Sequence, residues 1–286
     1  MICVTGAGGQ VGGEVSKQLI ANNVPVRLAF NSAHKAESAK SNGFEAVIID
    51  YRKPETLEAA FIGCEKIFLL GPNAVDQAKL EVNAVSAAQK VGVKHVVKLS
   101  VLNTEDDSYE FGRVHRVAEK VLEESEMNWT FLRASQFMQN LTTYMAHPIK
   151  GQDAFYTACG DGKLSHLDVR DIGRVAYHAL TEDSHHNKAY VLTGPEALSY
   201  DEVALLLSKE LGRDISHIRL TDEEFRQGMI SGGTPVEFAD RVVGLDQYFR
   251  NGGVEEVSTD IEKVTGRKAN SIDNFIKEFS RTNVWK

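Results

Sequence analysis

Six short apolar runs, each leading into an amphipathic stretch, constrain this chain more than any other feature. They are ICVTGA from Ile2, PVRLAF (25–30), EAVIID (45–50), KIFLLG (66–71), HVVKLS (95–100) and WTFLRA (129–134). Near-continuous apolarity is what a strand needs when helices cover both faces of its sheet. The segments between carry the helical period. QVGGEVSKQLIANN repeats apolar residues at Val11, Val15 and Leu19. PETLEAAFIGC opens on Pro54, DQAKLEVNAVSAAQKVG stops at Gly92, and EFGRVHRVAEKVLEES is amphipathic. Such alternation predicts βαβ units and a doubly wound parallel sheet.

Past residue 150 the pattern changes. GDGKLSHLDVRDIGRVAYHAL reads as loop, strand and helix. AYVLTGPEALSYDEVALLLSKELGR reads as strand, turn and a helix whose N-cap lies within 199–201. The remainder, from about 217, is mostly helical and richer in charge.

The turn after the first run narrows the chemistry. In CVTGAGGQVGGEV, Gly6, Gly9 and Gly12 follow a strand and open a helix. This is the setting of a dinucleotide phosphate turn. One glycine allows the tight turn, one admits the pyrophosphate to the backbone, and one lets helix and strand pack closely. The helix N-terminus offers its free N–H groups and dipole to the phosphates. Thr5, Gln10 and Val11 complete the expected cradle. The ribose is read at the end of the second strand, where an acid favours NAD and an arginine favours NADP. Phe30 and Asn31 are neither. His34 and Lys35 follow within reach of a 2′-phosphate, so the expectation leans to NADP. Asp50 and Tyr51, closing the third strand, are expected beside the adenine or in a turn.

Charge limits the partners. The net charge is −8 over 286 residues, and no Lys/Arg run exceeds two. Neither nucleic acid nor an anionic membrane suits such a surface. No apolar segment approaches the ~20 residues of a membrane span, and no leader-like start precedes Ile2, so a cytoplasmic protein is expected. Cys3, Cys64 and Cys159 follow no metal-ligand or redox spacing and read as core residues.

TGAGGQVG, VGVKHVVKLS, HRVAEKVLEES, WTFLRASQFMQN, LDVRDIGRVA and LTGPEALSYDEVALLLSKELGR together resemble the NmrA-like family of atypical short-chain dehydrogenases, over about residues 2–215. Within it the chain is similar to the NAD(P)H quinone oxidoreductase and triphenylmethane reductase branch. The family also contains non-catalytic dinucleotide sensors that report to protein partners, and members described as sugar-nucleotide epimerases. The resemblance implies a Rossmann domain over 1–150, its sheet completed by part of 151–195. A smaller, mostly helical α/β substrate domain follows over 151–286, with the nicotinamide in a cleft between them. It implies that Leu70, Gly71, Pro72, Asn73, Ser100, His115 and Ala134, Ser135 and Phe137 line the nicotinamide half. The family usually has proline at the position of Ala134 and often arginine near Phe30, and this chain departs from both.

Carbonyl-reducing relatives use a tyrosine and a lysine four residues later, one helical turn apart. Aligned through Glu119, those positions here are Phe111 and His115. Tyr109, with Arg113 four residues on, would face away from that helical side. No firm catalytic acid remains; Ser100 and His115 are the candidates. Hydride transfer to an ordinary carbonyl makes an alkoxide, about as basic as hydroxide from water, pKa ~15.7. Transfer to a quinone makes a phenolate-like oxygen, pKa ~10, which leaves roughly 8 kcal/mol less charge to stabilise. A cationic dye becomes neutral and needs no acid. The expected activity is therefore NAD(P)H-dependent reduction of a quinone-like or conjugated acceptor, a small apolar or aromatic molecule. A dinucleotide sensor and a sugar-nucleotide epimerase or dehydratase are the alternatives.

The remaining features read as structural first. His178, His185 and His186 sit in a helix end and polar loop, so no metal is expected. Asp168 and Asp171 resemble a helix N-terminal pair. Phe137, Met138 and Tyr144 either wall an apolar pocket or pack a core. Gly232 and Gly233 separate two helices.

Overall fold

The computed structural model describes residues 1–106 and 109–286. All six apolar runs form strands: β1 (Ile2–Val4), β2 (Val26–Phe30), β3 (Glu45–Ile48), β4 (Lys66–Leu69), β5 (His95–Val101) and β6 (Asn128–Ala134). The helices between them are α1 (Gln10–Ala21), α2 (Ala33–Ser41), α3 (Pro54–Phe61), α4 (Gln77–Lys90) and α5 (Glu110–Glu123). Pro54 occupies the first turn of α3, where its missing N–H costs nothing. Gly92, at φ +80°, follows the end of α4.

The chain continues through α6 (Ala146–Gln152), β7 (Ala154–Thr157), β8 (Lys163–Leu164), α7 (Val169–Thr181), β9 (Lys188–Leu192), β10 (Leu198–Ser199), α8 (Tyr200–Leu211) and β11 (Ser216–Arg219). Four helices close it: α9 (Asp222–Ser231), α10 (Val236–Arg250), α11 (Asp260–Thr265) and α12 (Ile272–Phe279). Ser199 caps α8 in a reciprocal pair with Glu202.

The main sheet has seven strands in the order β3-β2-β1-β4-β5-β6-β9, and the pairs among β1–β6 are parallel. The direction of connection reverses between β1 and β4. In doubly wound sheets the crevice beyond the carboxyl ends at that reversal takes the ligand. β9, from the AYVLTG segment, supplies the last strand.

The chain divides into two compact units. The first comprises 1–105, 113–134 and 169–191. Its core gathers Cys3, Leu57, Phe61, Ile67, Leu69, Leu80 and Phe131. Here α7 packs against α1. The second comprises 106–112, 135–168 and 192–286, and carries two small sheets, β7 with β11 and β8 with β10. Its buried Trp285 donates an indole hydrogen bond to Leu141 O at 2.8 Å, tying down the last residues. Among the described residues no helix is long and apolar enough to cross a membrane.

Candidate functional site

The glycine turn begins where β1 ends. Thr5 fixes it to β4: its N–H donates to Phe68 O at 3.0 Å, and its hydroxyl accepts from Leu70 N at 2.9 Å. Gly6 stands at φ +63°, a conformation that side chains with a Cβ rarely adopt. A Cβ on Gly12 would lie 2.2 Å from Gly6 O, so only glycine lets α1 cross the turn this closely. A Cβ on Gly9 would meet nothing nearer than 3.4 Å. The protein itself makes no steric demand for glycine there. Gly9 is also the N-cap of α1, with no side-chain cap and no acidic residue in the first turn. The N–H groups and positive dipole end of α1 thus meet no carboxylate of their own helix. Gln10 at its start is exposed and Val11 is buried.

The neighbouring strand ends shape the rim. Asn31 and His34 are exposed. Lys35 folds back over the turn, its Nζ donating to Gly8 O at 2.9 Å. Asp50 makes a local turn, its carboxylate accepting from Arg52 N at 2.9 Å. Tyr51 is buried and donates its hydroxyl to Leu70 O at 2.7 Å, joining the ends of β3 and β4. Burial pushes the Tyr51 phenol well up, so it stays protonated.

Beneath the β4 end lies an ionic cluster that the sequence did not announce. Lys98, on β5, and Glu81, on α4, are both fully buried and pair at 2.9 Å. Lys98 also donates to Leu99 O at 2.9 Å and lies 2.9 Å from His115 Nδ1. Gln77 Nε2 reaches Glu81 at 3.2 Å and His115 Nε2 at 3.3 Å. Burial alone would raise the Glu81 carboxyl; the Lys98 and His115 interactions outweigh it and hold it at about 2. His115 is pushed down by burial and then by the Lys98 charge, which keeps it neutral. A Cβ on Gly71 would fall 2.5 Å from Glu81 Cγ, so the Leu70–Pro72 segment rests directly on this cluster.

Ser100 belongs to a second buried group. Its hydroxyl donates to Glu119 at 2.7 Å. Thr104 at 3.0 Å and Arg133 at 2.9 Å complete the carboxylate's shell, with Arg116 at 3.2 Å. Thus the two catalytic candidates, Ser100 and His115, are buried and already hydrogen-bonded within the first unit. Ala134 ends β6 there, also buried.

In the second unit, Ser135 is bound to Leu192 O through its N–H, and Phe137 is half-buried beside Leu167. Met138 is buried and Tyr144 is 80% exposed. Tyr109 precedes α5 and its buried ring stacks on Tyr248 at 4.1 Å. Phe111 meets Phe238 edge-on, with the Arg241 guanidinium 5.6 Å from its centroid. Asp168, just before α7, accepts from Gln139 at 2.8 Å and Asn270 at 2.9 Å.

In the first unit, Asp171 in the first turn of α7 pairs with Arg174. His178 meets Glu182 at 2.6 Å, His185 meets Tyr190 at 2.8 Å, and His186 meets Asp183 at 3.6 Å. Among the described residues no metal-ligand group forms.

Each unit also buries a neutral histidine. Burial lowers His95 to about 3 in the first unit and His166 to about 4 in the second. A depressed histidine stabilises the fold above its free pKa of 6.5 and loses that contribution as pH falls towards the folded value. For His166 the loss is roughly 3 kcal/mol by pH 4. The unfolding midpoint should therefore drop between pH 6.5 and 4, and drop less in His166→Gln. Parallel pH curves for both proteins would contradict the assignment.

The NmrA-like family matches residues 1–280. An NAD(P)H azoreductase of Xenophilus azovorans is 37% identical over 97% of this chain and 97% of its own. The NADPH complex of the Escherichia coli NADPH-dependent quinone oxidoreductase superposes with a TM-score of 0.88 at 26% identity, covering 98% of this chain and 99% of that one. The NADP(H) complex of Citrobacter sp. triphenylmethane reductase gives 0.87 at 26% identity, covering 97% and 99%. With its glycine turn, strand order and match along nearly the whole length, the chain belongs to the NmrA-like family.

Proposed function

We propose that this protein is an NAD(P)H-dependent oxidoreductase that delivers hydride to a quinone-like or otherwise conjugated acceptor without a tyrosine acid. The observation that carries the reading is the start of α1: an uncapped helix N-terminus with no acid in its first turn, above a turn closed by Gly6 and Gly12. Such a site suits a pyrophosphate. The azoreductase, quinone reductase and dye reductase relatives support the same chemistry.

Thr5, Gly6, Gly9, Gln10, Val11 and Gly12 would hold the pyrophosphate. Asn31 and Lys35 would receive the adenosine ribose, with Lys35 exchanging its bond to Gly8 O for a 2′-phosphate; NADPH is thereby the favoured cofactor. Asp50 and Tyr51 would border the adenine. Leu70, Gly71 and Pro72 would line the nicotinamide side. A bound reduced nicotinamide supplies the hydride. Ala134, Ser135 and Phe137 complete the proposed set. Ser100 and His115, hydrogen-bonded below, act as positioning residues. Because a hydroquinone-type oxygen is a weak base, water can deliver its proton, and the residues need only bind, orient and desolvate. Cys3, Cys64 and Cys159, buried and without the regular spacing of a disulfide framework, fit a cytoplasmic setting.

The test is calorimetric titration with NADPH, NADP, NADH and NAD, followed by menadione addition to the best-bound reduced form. Oxidation above the enzyme-free rate supports the reading. Tight binding with background turnover across a panel of quinones and dyes would replace it with a dinucleotide sensor. Lys35→Ala is expected to weaken NADPH about tenfold or more, ~1.4 kcal/mol, with little change for NADH. Equal losses for both would remove Lys35 from cofactor selection.

A further inference from the structure

Two of the three cysteines lie in one core cluster beside the same arginine, Arg27. Cys3 is fully buried in β1, two residues before Thr5. Cys64 lies just beyond α3, beneath a surface turn whose Ile62 is 60% exposed, and is itself 4% exposed. Cys3 stands opposite Arg27 in the β1–β2 register, and both cysteines belong to one core cluster. Arg27 Nη1 stands 3.4 Å from Cys64 Sγ. That guanidinium is fixed by Glu45 at 2.5 Å, Ala60 O at 2.6 Å and Ile62 O at 2.7 Å. Cys64 Sγ also lies 3.8 Å from Ala60 O.

We propose that Cys3 and Cys64 are an oxidation site: a hydroperoxide reacts at Cys64, and Cys3 resolves the product to a reversible disulfide. The two thiols have unlike surroundings. The interaction with Cys3, reinforced by the Arg27 charge against burial, lowers the Cys64 thiol to about 7. The same interaction and burial push Cys3 well up. Cys64 is therefore the thiolate that attacks, because the thiolate is the nucleophile. Cys3 has no surface by which an oxidant reaches it first. Cys159 is buried in the second unit, and burial with the Asp246 charge pushes its thiol far up, so it stays inert.

The chemistry balances with a peroxide as oxidant. Cys64 sulfur attacks one peroxide oxygen, the O–O bond breaks, and the other oxygen leaves as hydroxide, which a proton converts to water. Cys64 is then a sulfenic acid. Cys3 sulfur attacks Cys64 sulfur, the S–O bond breaks, and the hydroxyl leaves with the Cys3 proton as a second water. Two thiols lose two electrons and two protons; the peroxide becomes two waters. The bond would tie β1 to the turn that precedes β4, next to the start of the glycine turn.

The full chain, fully reduced and then exposed to a modest excess of hydrogen peroxide, reads the proposal directly. Free thiols should fall from three to one, the intact mass should drop by two hydrogens, and a non-reducing digest should link the Cys3 and Cys64 peptides. Dithiothreitol should restore all three thiols. In Cys3→Ala, Cys64 should instead accumulate as a dimedone-reactive sulfenic acid. Three surviving thiols would overturn the proposal. So would further oxidation of Cys64 without a link, or a link through Cys159 or between chains. The digest of the unmutated protein decides the matter even if the variant does not fold.

Discussion

Lys98→Met is expected to destabilise the protein by about 3–5 kcal/mol, because it takes from the buried Glu81 the cation that pairs with it. Lys98 and Glu81 are each fully buried. Glu81 owes its low value to Lys98 first among its partners, so the single replacement should drive it to bind a proton. Glu81→Met should cost a similar amount, by stranding the ammonium. The double replacement Glu81→Met with Lys98→Met removes both charges and should recover much of the loss, since a buried pair is often no better than apolar side chains of like volume. Urea unfolding of the four proteins provides the cycle. Single losses below ~1 kcal/mol would mean that water reaches the pair. Because Gly71 rests on Glu81, the double variant also tests whether the cluster matters to the segment above it. Restored stability with a raised KM for NADPH would assign it a positioning role.

The second large effect lies in the turn. Gly12→Ala places a methyl group 2.2 Å from Gly6 O and 2.8 Å from Thr5 O. Backbone cannot yield as a flexible side chain does, so α1 must move off the turn. Overpacking of this kind costs about 1–3 kcal/mol of stability, and displaced N–H groups should weaken NADPH at least ~100-fold, ~2.7 kcal/mol. Gly9→Ala separates the two causes. Its Cβ meets only Gly6 O, at 3.4 Å. The fold should survive with an unfolding midpoint near that of the parent, while NADPH affinity falls. If Gly12→Ala binds NADPH normally, α1 is not the phosphate site. If Gly9→Ala binds normally, the ligand does not approach the backbone there.

The sequence showed some of this plainly and hid the rest for physical reasons. The six strands were visible because a doubly covered strand must be apolar nearly throughout, and the glycines because a turn and a close crossing need them at fixed places. Ser199 was visible as a cap for its local chemistry. Lys98 was not, although it stands inside HVVKLS, a run that burial on both faces should keep uncharged. A lone charge reads as surface; only tertiary pairing with Glu81, from another helix, makes its burial tolerable. Gln77 and Glu81 share a helical spacing with the core residues Ala84, Val85 and Ala88, and that was the available signal. Ser100 and His115 were found as candidates, but their partners, Glu119 and Lys98, depend on how strands and helices cross. Cys3 and Cys64 meet for the same reason: no local spacing joins them.

Synthesis of the chain gives β9 another significance. The polypeptide leaves the sheet at Ala134 and returns at Lys188, while β9 is the neighbour that covers β6. At a translation speed of about 5–20 residues per second, β6 emerges some 3–10 seconds before its neighbour exists. Through that interval the nascent sheet presents WTFLRA as an open edge with unpaired N–H and C=O groups, the kind of template to which other chains add. Slow codons between these positions should lengthen the exposure and lower the soluble yield, and fast ones should raise it, with no amino acid changed.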